Sequence, residues 1–210
     1  DRKMLPEIQQ TVDALYERAT DLARTLHAMD TNLDTEGLGQ VDAAIGYFEQ
    51  AVALQPATAG IQFNLGAACS GKGDLAAAER HLRKALELKP DYDKALENRA
   101  ETRYRLEDWK GAADDFGKLI KSEKCEAETF QKLGTAKYHL KDFKGSAESL
   151  GSAIDKGLKD KEVFRMHGLS QATLGNCEET LKSLGAAIAM GVSDKDVFYQ
   201  TGLCQFKNKD

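Results

Sequence analysis

The chain has 210 residues, 41% hydrophobic and 30% charged, with a formal net charge of −5. These fractions exclude wholesale disorder, and no apolar run approaches the roughly 18 residues of a membrane-spanning helix. Residues 1–58 carry 4 basic and 10 acidic side chains and residues 59–210 carry 25 and 24, so neither part has the strongly basic surface of a nucleic-acid binder.

Only 3 prolines are present, and β-branched residues are sparse beside Ala, Leu, Lys and Glu, which favours helix throughout. The sequence opens on Asp1 rather than Met, as a fragment or a processed product would. The first predicted element is a long helix. Ile8, Val12, Leu15, Ala19, Leu22, Leu26, Met29 and Leu33 recur in steps of 4 and 3, a heptad seam. Pro6 suits a helix start, and Glu7 sits near the positive end of the dipole. Two uses of this seam compete: packing on the next helix as a cap, or a coiled coil with a second chain through residues 8–33. Residues 37–58 follow as a second helix, marked by Ala44, Phe48 and Ala51 and stopped by Pro56.

From there the chain keeps a 34-residue period. Phe48, Leu82, Phe116, Leu150 and Leu184 are all large and apolar, and Gly66, Ala100, Gly134, Gly168 and Gly202 are all small. Leu96, Phe130, Phe164 and Phe198 form a third ladder, and Leu106, Leu140 and Leu174 a fourth, just before a turn. Within each unit two helical stretches alternate with short breaks such as Gly71-Lys72-Gly73-Asp74, Leu106-Glu107-Asp108 and Gly175-Asn176. The small ladder lets two helices of a hairpin approach, and the large residue of the second helix fills the space beside it. One hairpin alone leaves an apolar face exposed, so such units come in arrays. The expected organisation is a heptad-patterned helix at 1–36 and the second helix of a degenerate leading unit at 37–58. Four full repeats follow over 59–194, at 59–92, 93–126, 127–160 and 161–194, and then a first helix alone at 195–210.

Leu65-Gly66, Ala78, Leu82, Ala85 and Pro90, together with Leu133-Gly134, Leu150 and Ala153, resemble the skeleton of the tetratricopeptide repeat family. Arg99 and His167 depart from it where leucine is usual, as do Lys124, Leu158 and Val192 where proline is usual. The resemblance implies an all-α fold, a right-handed superhelical solenoid of antiparallel hairpins. It implies a non-catalytic interaction scaffold that takes a peptide or partner domain on the concave face of its first helices. Carried onto this chain, that face is Phe63, Asn98, Glu101, Tyr104, Gln131, Tyr138, Arg165, Met166 and Tyr199. Tyr104, Tyr138, Met166 and Tyr199 would form an apolar floor, and Asn98, Gln131 and Arg165 would fix a ligand's backbone or acidic groups. The competing use of Tyr104, Tyr138 and Phe206 is packing between hairpins. The family's carboxylate clamp for chaperone tails is not reproduced, since its positions hold Phe63, Ala67, Asn98, Glu128 and Lys132. The alternatives are a self-assembling module, or the regulatory repeat region of a longer enzyme or receptor.

No enzyme pattern survives. Gly66 to Gly73 follows a phosphate-binding loop only up to Lys72, lacks the following Ser or Thr, and has no strand before it. The four histidines show no metal-ligand spacing, and no cofactor or metal is expected. His139 is placed at the rim of the face or in its groove, and His167 near the hairpin crossing. The four cysteines fit neither a zinc pattern nor a small disulfide framework. Cys69 and Cys204 read as small core residues, Cys125 as an accessible thiol, and unpaired thiols point to a cytoplasmic location, an anchored extracytoplasmic one being the alternative.

Overall fold

The computed structural model describes residues 6–28, 35–121 and 125–208, with the side chains of all but 22–28 and 35–38. Leu22 and Leu26, as side chains, and Met29, Leu33 and Lys124 therefore lie outside the described residues. Among those described there are eleven helices and no strand. The chain divides into two compact units, Asp1–Leu106 and Glu107–Asp210.

The first unit holds α1 (Pro6–Ala28), α2 (Thr35–Leu54), α3 (Ala59–Lys72), α4 (Leu75–Leu88) and α5 (Asp93–Arg105). Each helix packs on the next, and α3 also touches α1 and α5. The visible part of the heptad seam faces inward. Val12 and Ala19 are buried in one cluster with Ala44, Phe48, Ala51, Ile61 and Leu65, and Ile8 and Leu15 pack against it. Tyr16 sets its ring edge-on to Phe48, and its hydroxyl accepts from Asn64 Nδ2 on α3 at 2.9 Å. So α1 spends this side of its seam on its own chain.

The second unit holds α6 (Trp109–Leu119), α7 (Ala127–His139), α8 (Phe143–Asp155), α9 (Lys161–Thr173), α10 (Cys177–Ala189) and α11 (Lys195–Lys207). Here α7 pairs with α8 and α9 with α10, while α7, α9 and α11 also touch one another in sequence. First helices thus lie side by side in one layer.

The small ladder explains the pairing. A Cβ added to Gly66 would lie 2.8 Å from Leu82 Cγ, to Gly134 2.6 Å from Leu150 Cγ, and to Gly168 2.7 Å from Leu184 Cγ. Leu82, Leu150 and Leu184 are fully buried. Turns inside the hairpins are built alike. Asp74, Asp108 and Asp142 each accept from the backbone N–H three residues on, satisfying an orphan donor of the second helix. The residue before each is left-handed, Gly73 (φ 91), Glu107 (φ 58) and Lys141 (φ 62), as is Gly175 (φ 80) before Asn176. Two units therefore carry a side chain where only glycine is free of strain.

The cysteines correct the sequence reading. Cys177, at the start of α10, and Cys204, in α11, form a disulfide with their Cα atoms 5.1 Å apart. They are 27 residues apart in sequence, but packing α11 on α10 brings them together. Cys69 and Cys125 are free. Burial pushes the Cys69 thiol up to about 11, with Asp74 and Glu49 adding to it, so it stays protonated and inert.

Candidate functional site

The expected surface residues fall on α3 and α5 in the first unit and on α7, α9 and α11 in the second. In the first unit Phe63 is half-buried, tilted against Tyr92 at 4.9 Å between ring centroids. Asn98 is half-buried and turns its Nδ2 back to the Lys94 carbonyl at 2.9 Å. Glu101 and Tyr104 are half-buried on the same helix.

In the second unit Gln131, Arg165 and Tyr199 occupy equivalent positions, each 34 residues from the last, on three neighbouring helices. Tyr199 is 66% exposed. Arg165 Nε donates to Glu162 Oε2 at 2.7 Å, and its Nη1 reaches Asp194 at 3.7 Å in the turn before α11. This bridge fixes the guanidinium between two helices. The flanking carboxylates offset its charge, so a ligand's acidic group would have to compete with them. Met166 points the other way. It is 7% exposed in a cluster with Leu150 and Val163, and Tyr138 packs against that cluster from the edge. Tyr138 also stands edge-on to Phe143 at 5.8 Å. Neighbouring His139 lies flat on Trp109, with ring centroids 4.2 Å apart.

His167, which stands where leucine is usual, is buried at the hairpin crossing. Its Nδ1–H donates to Ser183 Oγ (2.8 Å), and Nε2 accepts from Gln171 (3.3 Å), the pattern of a neutral ring. Burial holds its pKa below the usual histidine value, against the pull of Glu179. The ring floors a cleft of about 480 Å³ bordered by Lys144, Glu148, Asp155, Gln171 and Asn176. His81 in the first unit repeats the device, with Nδ1 donating to Gln62 Oε1 at 2.9 Å and burial again lowering its pKa. Among the described residues no group of His, Cys, Asp and Glu is arranged to hold a metal, and no helix is long and apolar enough to cross a membrane. The Gly66–Gly73 stretch is the end of α3 and its turn. Cys177 is bonded to Cys204 and offers no free thiol.

Paired helices, a glycine at three of the hairpin crossings and a shared turn chemistry define a helical-hairpin repeat protein. By sequence, the tetratricopeptide repeat family profile matches residues 36–93 and 70–126. No curated protein matches the chain. Among solved structures the chain is similar to YrrB, described as a tetratricopeptide protein with an unusual peptide-binding site. That match has 24% identity over 77% of this chain and 84% of that one, and a TM-score of 0.63. It is also similar to MamA, at 16% identity, 86% and 92% coverage and a TM-score of 0.69. A third match is MamA from Desulfovibrio magneticus RS-1, at 13% identity, 85% and 94% coverage and 0.66. Residues 36–126 thus belong to the tetratricopeptide repeat family, and the remaining helices share its fold.

Proposed function

We propose that the chain is a non-catalytic scaffold that binds an extended peptide, or an extended segment of a partner, across its first helices. The observation that carries this reading is the side-by-side layer of α7, α9 and α11 with Gln131, Arg165 and Tyr199 at equivalent positions. Packed helices stand 8–10 Å apart, and an extended chain advances roughly 3.3 Å per residue. About every third ligand residue therefore meets a new helix. Tyr199 offers an exposed aromatic face, Arg165 a guanidinium already held in place, and Gln131 an amide for the ligand backbone. In the first unit, taken by itself, Phe63 and Tyr104 offer aromatic rings, Asn98 an amide and Glu101 a carboxylate on α3 and α5. Met166 and Tyr138 support the surface from beneath. The fold likeness to a protein described as having a peptide-binding site is consistent with this use.

The Cys177–Cys204 bond favours an oxidising compartment over the cytoplasm, because glutathione and thioredoxin keep cytosolic thiols reduced. The inward-facing seam of α1 favours a capping role over a coiled coil through residues 8–33. The test is affinity for a bound peptide: Arg165→Ala and Tyr199→Ala should weaken it without lowering the melting temperature, and unchanged affinity in both would remove the assignment.

A further inference from the structure

Helix α4 carries a charge pattern that the other second helices do not repeat. Arg80, Arg83 and Lys84 lie three and four residues apart, so they share one face, and all three are exposed. At the three corresponding positions α2 has Gly46, Glu49 and Gln50, and α8 has Glu148, Gly151 and Ser152, while α6 and α10 each place a single cation there, Lys118 and Lys182. The hairpin fold therefore does not ask for this cluster, and like charges one turn apart repel. The three cations border a cleft of about 360 Å³ together with Gln62, His81 and Glu87. Glu87 takes Lys84 in an exposed ion pair at 3.1 Å, a weak contact in water. Arg80 and Arg83 meet no carboxylate among the described residues. Arg80 Nη2 donates instead to a neutral imidazole, His81 Nε2, at 3.2 Å. That acceptor is set from below. Gln62, 4% exposed, gives its Nε2 to the Pro56 carbonyl at 3.1 Å, so its Oε1 is left to accept from His81 Nδ1–H at 2.9 Å. The remaining lone pair of the ring is thereby turned toward Arg80, and the guanidinium is held at the cleft.

We infer that this cleft binds a dianionic phosphate group, with Arg80 and Arg83 as guanidinium forks and Lys84 as a point charge. Three cations against the single carboxylate of Glu87 leave two positive charges, which a phosphate dianion matches and a lone carboxylate does not. A guanidinium fork also fits phosphate oxygens two at a time. Binding changes His81 as well. Burial first, and Arg80 second, hold its pKa below the usual histidine value, against the pull of Glu49 on α2 and Asp74 before α4. A phosphate that takes up Arg80 frees His81 Nε2, and its negative charge favours a proton there, so the ring turns from acceptor to fourth donor. The site lies on a second helix and does not depend on the peptide row of the first helices.

The probes are inorganic phosphate and N-acetyl-O-phosphoserine amide, each titrated into the full chain under two-dimensional NMR at about pH 7.5, where the phosphate group is mostly dianionic. The amides of residues 80–87 and the His81 ring should shift saturably, with a dissociation constant of about 1 mM or tighter. The tighter of the two probes identifies the carrier, a free ion or a phosphorylated side chain, and saturation by either supports the site. Arg80→Gln and Arg83→Gln, both at exposed positions, should each weaken binding about tenfold. Lys182→Gln, at the repeat position of Arg80 in α10, should not. In saturating phosphate the His81 ring should titrate at a higher pH than in chloride of matched ionic strength, which removes general screening from the comparison. No saturation by either probe, undiminished affinity in the Arg80 and Arg83 variants, or a His81 titration that phosphate leaves unmoved would overturn the proposal.

Discussion

Two glycines at the same repeat position should respond oppositely to alanine. At Gly134 the new methyl would sit 2.6 Å and 2.7 Å from Leu150 Cγ and Cδ2 and 3.0 Å from the Leu150 backbone nitrogen. Ordinary contact between carbons begins near ~3.5 Å, so α7 and α8 must part by several tenths of an ångström. Leu150 is fully buried and has no room to turn aside. Overpacking of this kind costs roughly 1–3 kcal/mol, and the higher helix propensity of alanine returns up to about 1 kcal/mol, leaving a net loss of about 1 kcal/mol at mid-range. For a chain of this size that lowers Tm by about 2–4 °C. At Gly202 no atom lies within 4 Å, so only the propensity gain of up to about 1 kcal/mol remains. Thermal melts followed by circular dichroism read both variants. If Gly134→Ala is as stable as Gly202→Ala, the hairpins do not cross at their glycines and the packing argument is wrong.

Removing the disulfide with Cys177→Ser and Cys204→Ser should loosen α11. A 27-residue separation corresponds to about 3.5 kcal/mol of loop-closure entropy, which hydrogen exchange should report as faster exchange of amides 195–208, several hundredfold at most. Free thiols at both positions in the oxidised protein would refute the pairing. Lys141→Gly or Glu107→Gly should stabilise by about 0.5–1 kcal/mol, because a left-handed side chain costs roughly 1–2 kcal/mol and glycine's extra freedom gives back only part; a loss of stability in denaturant titration would contradict the turn geometry. His167 is held below its unfolded value of 6.5 by burial. As pH falls through that value the unfolded chain takes up a proton the folded chain resists, so stability declines. His167→Gln should flatten the decline between about pH 7 and 5, leaving the share of His81, and an unchanged slope would contradict a neutral buried ring.

The repeat was legible in the sequence because its two strongest requirements are chemical: a small residue where helices cross and a large one to cover it. Gly66 with Leu82 and Gly134 with Leu150 state that directly. The second-helix start was also written in the chain, as Asp74, Asp108 and Asp142, though only the hydrogen bonds show them acting as caps. The disulfide was not legible, since Cys177 and Cys204 meet only once α11 has packed on α10, and no local pattern marks them. Met166 shows where face assignment fails. A first helix is contacted by its own mate, by the preceding second helix and by its first-helix neighbours, so little of its circumference is free. One residue rotates the side chain by about 100°, which carries it from the surface at Arg165 to the core at Met166.

The most direct measurement is the affinity of an extended peptide, selected from a random library on the immobilised chain, for the parent and for Arg165→Ala, Tyr199→Ala and Gly202→Leu. Binding across the first helices predicts a loss of about tenfold or more, some 1.4 kcal/mol, for Arg165→Ala and Tyr199→Ala, none for Gly202→Leu, and melting temperatures that stay together. Undiminished binding to the Arg165 and Tyr199 variants, or an exchange footprint confined to α8 and α10, would contradict it.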